Sequence, residues 1–211
     1  MEKETSLFLL HQVRKEFSGK TIFGDLNLEV FAGDKIIFRG PSGCGKSTLL
    51  GIILGFTVPD SGTISFNGSP YTRDVVRKLR RSTAYIPQEA RLEHPKAADM
   101  FGFAFGFNAN KAQKPSDDKV STTLIAVGLD PEVIRKKTNE ISGGEKQRLL
   151  IASALLLQKE IILLDEPTSA LDKNNATRLS SLISSTKELT VISSSHDTSW
   201  TFENAKIVDL S

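Results

Sequence analysis

With 211 residues, 39% of them hydrophobic, and a formal charge of only +2, the chain can form one generous domain, or one core with an insertion, and gives no charge-based argument for a nucleic-acid partner. Its single cysteine excludes an internal disulfide and suits a reducing compartment. No apolar run reaches the roughly 18–20 residues of a membrane span, and the N-terminal stretch lacks a signal-peptide pattern, so a cytoplasmic protein is expected.

In chain order, Leu7 to Val13 reads as a strand, and Leu26-Asn27-Leu28-Glu29-Val30 alternates as a half-buried strand does. Phe17-Ser18-Gly19 between them is a turn preceded by an aromatic, and spacing alone makes Phe17 a core residue. Lys35 to Phe38 is a short apolar strand. It runs into Gly40-Pro41-Ser42-Gly43-Cys44-Gly45-Lys46-Ser47-Thr48, which fits G-x-x-x-x-G-K-[ST], and then into a helix from Ser47 to Leu54 that stops at Gly55. Strand, glycine-rich turn and helix are the context in which this pattern binds phosphate. The glycines let N–H groups curl around the anion, and the helix N-terminus favours it. Lys46 supplies a positive charge at the β- and γ-phosphates, and Ser47 offers a hydroxyl to Mg²⁺. A nucleotide-binding protein is expected.

Gly62 to Gly68 alternates again between turn glycines, so an antiparallel group of strands sits beside the βα unit. Arg73, Arg77, Lys78, Arg80 and Arg81 read as a solvated helix face. Thr83 to Ile86 is a strand that ends at Pro87-Gln88, which puts Gln88 at the edge of a ligand crevice in an open α/β sheet. From about Glu89 to Lys159 strand patterns vanish, and the segment reads as an inserted helical subdomain. Within it, Met100 to Phe107 alternates phenylalanine with small residues. As a helix it pairs Phe101 with Phe105 and Phe103 with Phe107 on neighbouring faces. Part of this helix is expected to form a docking surface, with burial inside the subdomain as the alternative.

Ile141-Ser142-Gly143-Gly144-Glu145 opens a helix from Lys146 to Leu157, and Ser142 with Glu145 forms a capping box. Two glycines there weaken the helix by up to ~1 kcal/mol each, which is easier to understand if another molecule approaches that backbone. Ile161 to Leu164 is an unbroken apolar strand ending in Asp165 and Glu166. Two carboxylates at the end of a buried strand need a cation or a chemical role, and they read as a Mg²⁺-organising Asp165 and a general base, Glu166. Ser169 to Asp172 follows at once. Thr190 to Ser193 and Lys206 to Leu210 are further strands, and His196 stands at the carboxyl end of the first of them.

In this combination the chain resembles the ATP-binding cassette of ABC transporters over nearly its whole length. Gly40 to Ser47 matches the Walker A loop, Gln88 the Q-loop, Ile141 to Glu145 the LSGGQ signature, Ile161 to Glu166 Walker B with its catalytic glutamate, Ser169 to Asp172 the D-loop, and His196 the switch histidine. Phe17 stands where the adenine-stacking residue is commonly Tyr, and Ile141 and Glu145 replace Leu and Gln. The resemblance implies an α/β P-loop NTPase: a RecA-like core and an antiparallel β subdomain (1–88 and 160–211), with a helical subdomain at about 89–159. It implies ATP and Mg²⁺, with Ser47, Gln88 and Asp165 toward the metal and Glu166, His196 and Gln88 in catalysis. It also implies a head-to-tail dimer, in which Ser142, Gly143 and Gly144 of one copy complete the γ-phosphate site of the other, and it adds Glu145 and Asp172 to the nucleotide-binding residues. The partner implied is a separate membrane permease, on whose cytoplasmic face the cassette acts as a peripheral subunit. A non-transport ATPase of this family, exerting force on a membrane-anchored complex or serving DNA or translation, stands as the alternative.

Overall fold

A computed structural model describes residues 5–88 and 94–210; the start of the helical segment expected from Glu89 lies outside the described residues. The alternating N-terminal residues form a hairpin in which β1 (Phe8–Phe17) pairs antiparallel with β2 (Lys20–Val30) through a tight turn at Ser18-Gly19. β3 (Lys35–Arg39) leads through the glycine-rich loop to α1 (Lys46–Ile53). β4 (Ser61–Phe66) and the short β5 (Ser69–Pro70) complete a four-stranded antiparallel sheet of order β2-β1-β4-β5. The basic stretch forms α2 (Arg73–Ser82), capped by Thr72, and leads to β6 (Thr83–Ile86).

The middle of the chain is helical: α3 (Ala97–Gly102), α4 (Asp117–Ala126) and α5 (Gly143–Leu156), joined by 3₁₀ turns. β7 (Ile161–Asp165), α6 (Lys173–Ser185), β8 (Thr190–Ser195) and β9 (Lys206–Asp209) follow. β3 and the four later strands form a parallel sheet of order β6-β7-β8-β3-β9. Its unbroken apolar runs follow from cover on both faces. Ile37, Ile162, Leu164 and Val191 pack with α5 and α6, while Ile36, Phe38, Leu163 and Ile192 pack with α1 and the antiparallel sheet. Period two thus divides the strands between two apolar clusters.

Two expectations change. The helix after the signature begins at Gly143 rather than Lys146, because Ser142 is its N-cap and both glycines fall in the first turn. Met100 to Phe107 does not run as one α-helix: α3 ends at Gly102, and Phe103–Gly106 tightens into a 3₁₀ turn. Two glycines four residues apart make the α form weak there. The aromatics still divide by pairs. Phe101 and Phe105 are 7% and 8% exposed, with ring centroids 5.9 Å apart, whereas Phe103 and Phe107 are 44% and 53% exposed and meet edge to face at 5.1 Å.

This division predicts opposite responses to truncation. Phe101→Ala opens a cavity in the core and should cost about 3–5 kcal/mol, lowering Tm by on the order of 10 °C. Phe103→Ala should leave Tm within about 2 °C of the parent, as exposed substitutions do. Thermal unfolding of the two variants measures this directly, and equal losses would contradict the division.

Candidate functional site

In the sheet order β7-β8-β3, parallel strands bring three carboxyl ends to one edge, and the residues just beyond them meet there. From β3 comes the glycine-rich loop. Gly45 caps α1 with φ 102°, and a Cβ on it would meet Ile22 Cγ2 on β2, so the loop lies close under the antiparallel sheet. From the first residue of α1, Lys46 Nζ donates to the carbonyls of Gly40 (2.9 Å) and Pro41 (3.1 Å) and pairs with Glu166 Oε1 at 3.1 Å. Both partners of this pair are buried, at 5% and 7% side-chain exposure.

From β7 come the two carboxylates. Asp165 Oδ1 accepts from Ser47 Oγ (3.0 Å) and from Ser194 Oγ (2.6 Å). Glu166 leaves the strand in a left-handed conformation, φ 46°, which costs a non-glycine residue roughly 1–2 kcal/mol. Its N–H donates to Ser194 Oγ (2.8 Å), and its Oε2 lies 2.8 Å from His196 Nδ1. The His196 ring itself is largely exposed. One carboxylate therefore faces both a buried ammonium and an imidazole at the mouth of the cleft.

The cleft between these groups has a volume of about 450 Å³, a size suited to a small ligand. Pro41, Ser42, Gly43, Gly45, Lys46, Ser47 and Thr48 line one side, with Gln88, Glu166 and His196 opposite and Ile22 at the rim. Asp165 stands behind Ser47. Gly40 and Cys44 are not among the lining residues, and the Cys44 side chain packs on the apolar cluster that includes Phe38 and Leu210. The loop therefore presents backbone amides, a hydroxyl and an ammonium to the cleft: groups that hold phosphate. Among the described residues, no three His, Cys, Asp or Glu side chains cluster as a cage. The hydroxyl of Ser47 beside the carboxylate of Asp165 is instead an oxygen pair of the kind Mg²⁺ uses when phosphates and waters supply the rest. The ion fits these residues.

Other expected site residues lie elsewhere on the molecule. Phe17 is half exposed at the hairpin end, where the Lys15 ammonium sits 5.0 Å from its ring centroid, so it is not a core residue and does not line the cleft. Ser142 and Gly143 are exposed at the N-terminus of α5. Ser142 Oγ accepts from the Glu145 N–H, and Glu145 Oε2 accepts from the Ser142 N–H at 2.8 Å, which with nearby Lys136 holds the Glu145 carboxyl below its ordinary range. Gly144 has a reason within its own chain: a Cβ there would lie 2.7 Å from the Ala170 carbonyl oxygen. That contact accounts for one of the two glycines without any second molecule. Asp172 caps α6, accepting from the Asn175 N–H at 2.9 Å, and this bond lowers its pKa.

Two residues at the site, Ile22 on the cleft rim and the buried Ser194 behind it, carry no expectation from sequence. Ile22 gave no local signal, since only the register of β2 brings it over Gly45. Ser194 did give one: it sits in Ser193-Ser194-Ser195, three hydroxyls in a strand with no exposed residue. Buried hydroxyls need partners. A second groove, about 960 Å³, is lined by Arg73, Arg77, Arg80 and Arg81 with Val58 and Phe107, and among the described residues no carboxylate lines it.

With this geometry in place, comparison with known proteins is informative. The sequence model of one family, described as ABC transporter, matches residues 23–169. An Fe(3+) ions import ATP-binding protein of Pectobacterium atrosepticum is 39% identical over 165 residues, 77% of this chain and 47% of that protein. A spermidine/putrescine import ATP-binding protein of Marinobacter nauticus is 36% identical over 168 residues, 79% of this chain and 44% of that one. The chain thus spans about half the length of the curated relatives it matches. Among solved structures, a bacterial Atm1-family ABC exporter with ATP bound superposes with TM-score 0.82 at 25% identity, over 99% of this chain and 38% of that chain. The cbiO1 protein of Clostridium perfringens, part of the ABC transporter complex cbiONQ, gives 0.72 at 26%, over 92% and 80% of the two chains.

The loop geometry makes a graded prediction. Gly45→Ala strains φ 102° and drives a methyl into Ile22, whereas a Cβ on Gly43 meets nothing within 4 Å. Titration with a fluorescent ATP analogue should show Gly45→Ala losing at least ~10-fold in affinity, about 1.4 kcal/mol, with a smaller loss for Gly43→Ala. The reverse ranking would mean that the loop is not held by β2.

Proposed function

The chain belongs to the ABC transporter family, and from that premise we propose that it is the ATP-hydrolysing, energy-coupling subunit of a transporter whose permease is a separate chain. The observation that carries this reading is the meeting of Lys46, Ser47, Asp165, Glu166 and His196 at one edge of the parallel sheet, around the glycine-rich loop. ATP would lie with its phosphates in the loop and its adenine toward the hairpin, where Phe17 offers a ring face. Lys46 would hold the β- and γ-phosphates, which compete with Glu166 and the two loop carbonyls for its ammonium. Ser47, Asp165 and Gln88 would hold Mg²⁺, whose charge screens the phosphates. Glu166 would take a proton from the attacking water as its oxygen bonds to the γ-phosphorus and the bond to the β-phosphate oxygen breaks. His196, beside Glu166 Oε2, would orient that water and the γ-phosphate.

The exposed N-terminus of α5 supports a second half to the site. Ser142, Gly143 and Gly144 present a helix start that touches nothing in the cleft of their own chain, and a helix start suits an anion. We place it against the γ-phosphate of a second copy, with Asp172 alongside, in a head-to-tail dimer. For the permease we propose the cleft of about 340 Å³ lined by Tyr85, Met100, Phe103, Ala104 and Phe107, just beyond β6. Among the described residues no helix is long and apolar enough to cross a membrane, which fits a peripheral place on the cytoplasmic face. The sequence relatives carry import in their names at 36–39% identity, against an exporter at 25%, and on that likeness we favour import.

Glu166→Gln keeps shape but removes the proton acceptor, so ATP turnover should fall at least ~100-fold while ATP binding survives. Gel filtration with MgATP should show this variant as a dimer and Lys46→Ala as a monomer. Turnover within a few-fold of the parent would remove Glu166 as the base, and an inactive protein that stays monomeric in ATP would remove the sandwich dimer. The docking cleft has its own check. Phe103→Ala with Phe107→Ala should reduce retention on membranes holding the permease without lowering Tm, and unchanged retention rules that surface out.

A further inference from the structure

We propose that Ser194 is a positioning residue of this site, whose one hydroxyl fixes the Asp165 carboxylate and the Glu166 backbone relative to each other. The inference rests on the ATPase reading above. Its starting point is the run Ser193-Ser194-Ser195 on β8, where all three residues are fully buried. Ser193 is committed to the core, where its Oγ accepts from Trp200 Nε1 (3.0 Å) and donates to the Ile36 carbonyl (3.3 Å). Ser195 closes a local turn with Asp197. Ser194 alone of the three turns to the carboxylates.

The parallel register puts Ser194 directly beside Asp165. A serine hydroxyl has one proton to give and lone pairs to receive. The carboxylate can only accept, so the proton goes to Asp165 Oδ1 at 2.6 Å. The Glu166 N–H can only donate, so Ser194 Oγ receives it at 2.8 Å. Both directions are therefore determined. With Ser47 also donating to Oδ1, that oxygen holds two protein hydrogen bonds, while among the described residues Oδ2 holds none and is free to serve a cation or its water.

Glu166 depends on the same hydroxyl from the other side. The β7 ladder ends at Asp165, and Glu166 turns out of it with φ 46°. Its amide is supplied with an acceptor by Ser194, in a place water does not reach. Without that hydroxyl the amide would be buried and unpaired, and the left-handed turn that aims the Glu166 side chain at Lys46 and His196 would lose its tether. A metal-facing carboxylate and a proton acceptor would then loosen together, which is the effect expected of a group that holds the ligands rather than the reactants.

The test compares Ser194→Ala with Ser194→Thr, which keeps the hydroxyl. Three quantities are read: kcat and KM for ATP, the Mn²⁺ affinity of the protein with a non-hydrolysable ATP analogue by electron paramagnetic resonance, and Tm. Ser194→Ala should lower kcat and weaken Mn²⁺ binding by about 10-fold or more each, with KM for ATP within about 3-fold and Ser194→Thr returning toward the parent. Should Ser194→Ala not fold, Ser194→Cys, near the same size but a weak donor, should give the same losses at preserved Tm. The inference is overturned if the variant lacking the hydroxyl keeps both kcat and Mn²⁺ affinity within about 2-fold of the parent, or if Ala and Thr lose both in step with Tm. A parent protein that binds Mn²⁺ and the analogue yet turns over no ATP would overturn the ATPase reading instead, and the Mn²⁺ comparison would still decide the role of Ser194.

Discussion

The buried ion pair between Lys46 and Glu166 is the constraint on which the rest of the site depends. Both charges are largely shielded from water, and removing one partner of a buried pair costs about 3–5 kcal/mol, because the other is left uncompensated. The pair is tolerable only with further hydrogen bonds, and they come from every element around it. Lys46 donates to carbonyls of its own loop, while Glu166 is met by His196 at its side chain and by Ser194 at its amide. These residues are far apart in sequence. The order β7-β8-β3 is what makes them neighbours, so the sheet topology is itself a requirement of the chemistry.

The outer parts of the fold reach the same edge by close approach. The antiparallel sheet comes down on the loop where Ile22 meets Gly45, and the segment after Glu166 comes up against Gly144 through the Ala170 carbonyl. Each contact is possible only without a side chain. Glycine is therefore informative here for what touches it, more than for the flexibility it grants. The glycine-rich loop and the start of α5 are both places where two parts of the chain meet backbone to backbone or backbone to side chain.

Much of this was legible in the residues. An unbroken run such as Ile161 to Leu164 can satisfy itself only in a buried parallel strand, and Ser142 with Glu145 caps a helix by local chemistry alone. The family, the fold class and the grouping of Lys46, Ser47, Asp165, Glu166, Gln88 and His196 came from the resemblance that the motifs carry, taken together and in order. What stayed hidden depends on register or on distant chain. Nothing near Gly144 in sequence announces Ala170, and nothing near Ile22 announces Gly45. The pairing of the phenylalanines was legible, but which pair is buried depends on how the segment packs on the rest of the helical region. The exposure of Phe17 turned on how far the hairpin strands run, since β1 continues to Phe17 itself.

The same geometry suggests how binding and catalysis are linked under the proposed reading. Lys46 has one ammonium and, among the described residues, three oxygen partners. A phosphate that recruits it must displace at least part of that set, and Glu166 is the partner that gains most from release, because it is the group then needed toward the attacking water. Its side chain would not swing free. The amide remains tied to Ser194 and the carboxylate to His196, so the residue keeps its place while Lys46 turns toward the phosphate. The surroundings of the acceptor thus depend on whether phosphate occupies the loop.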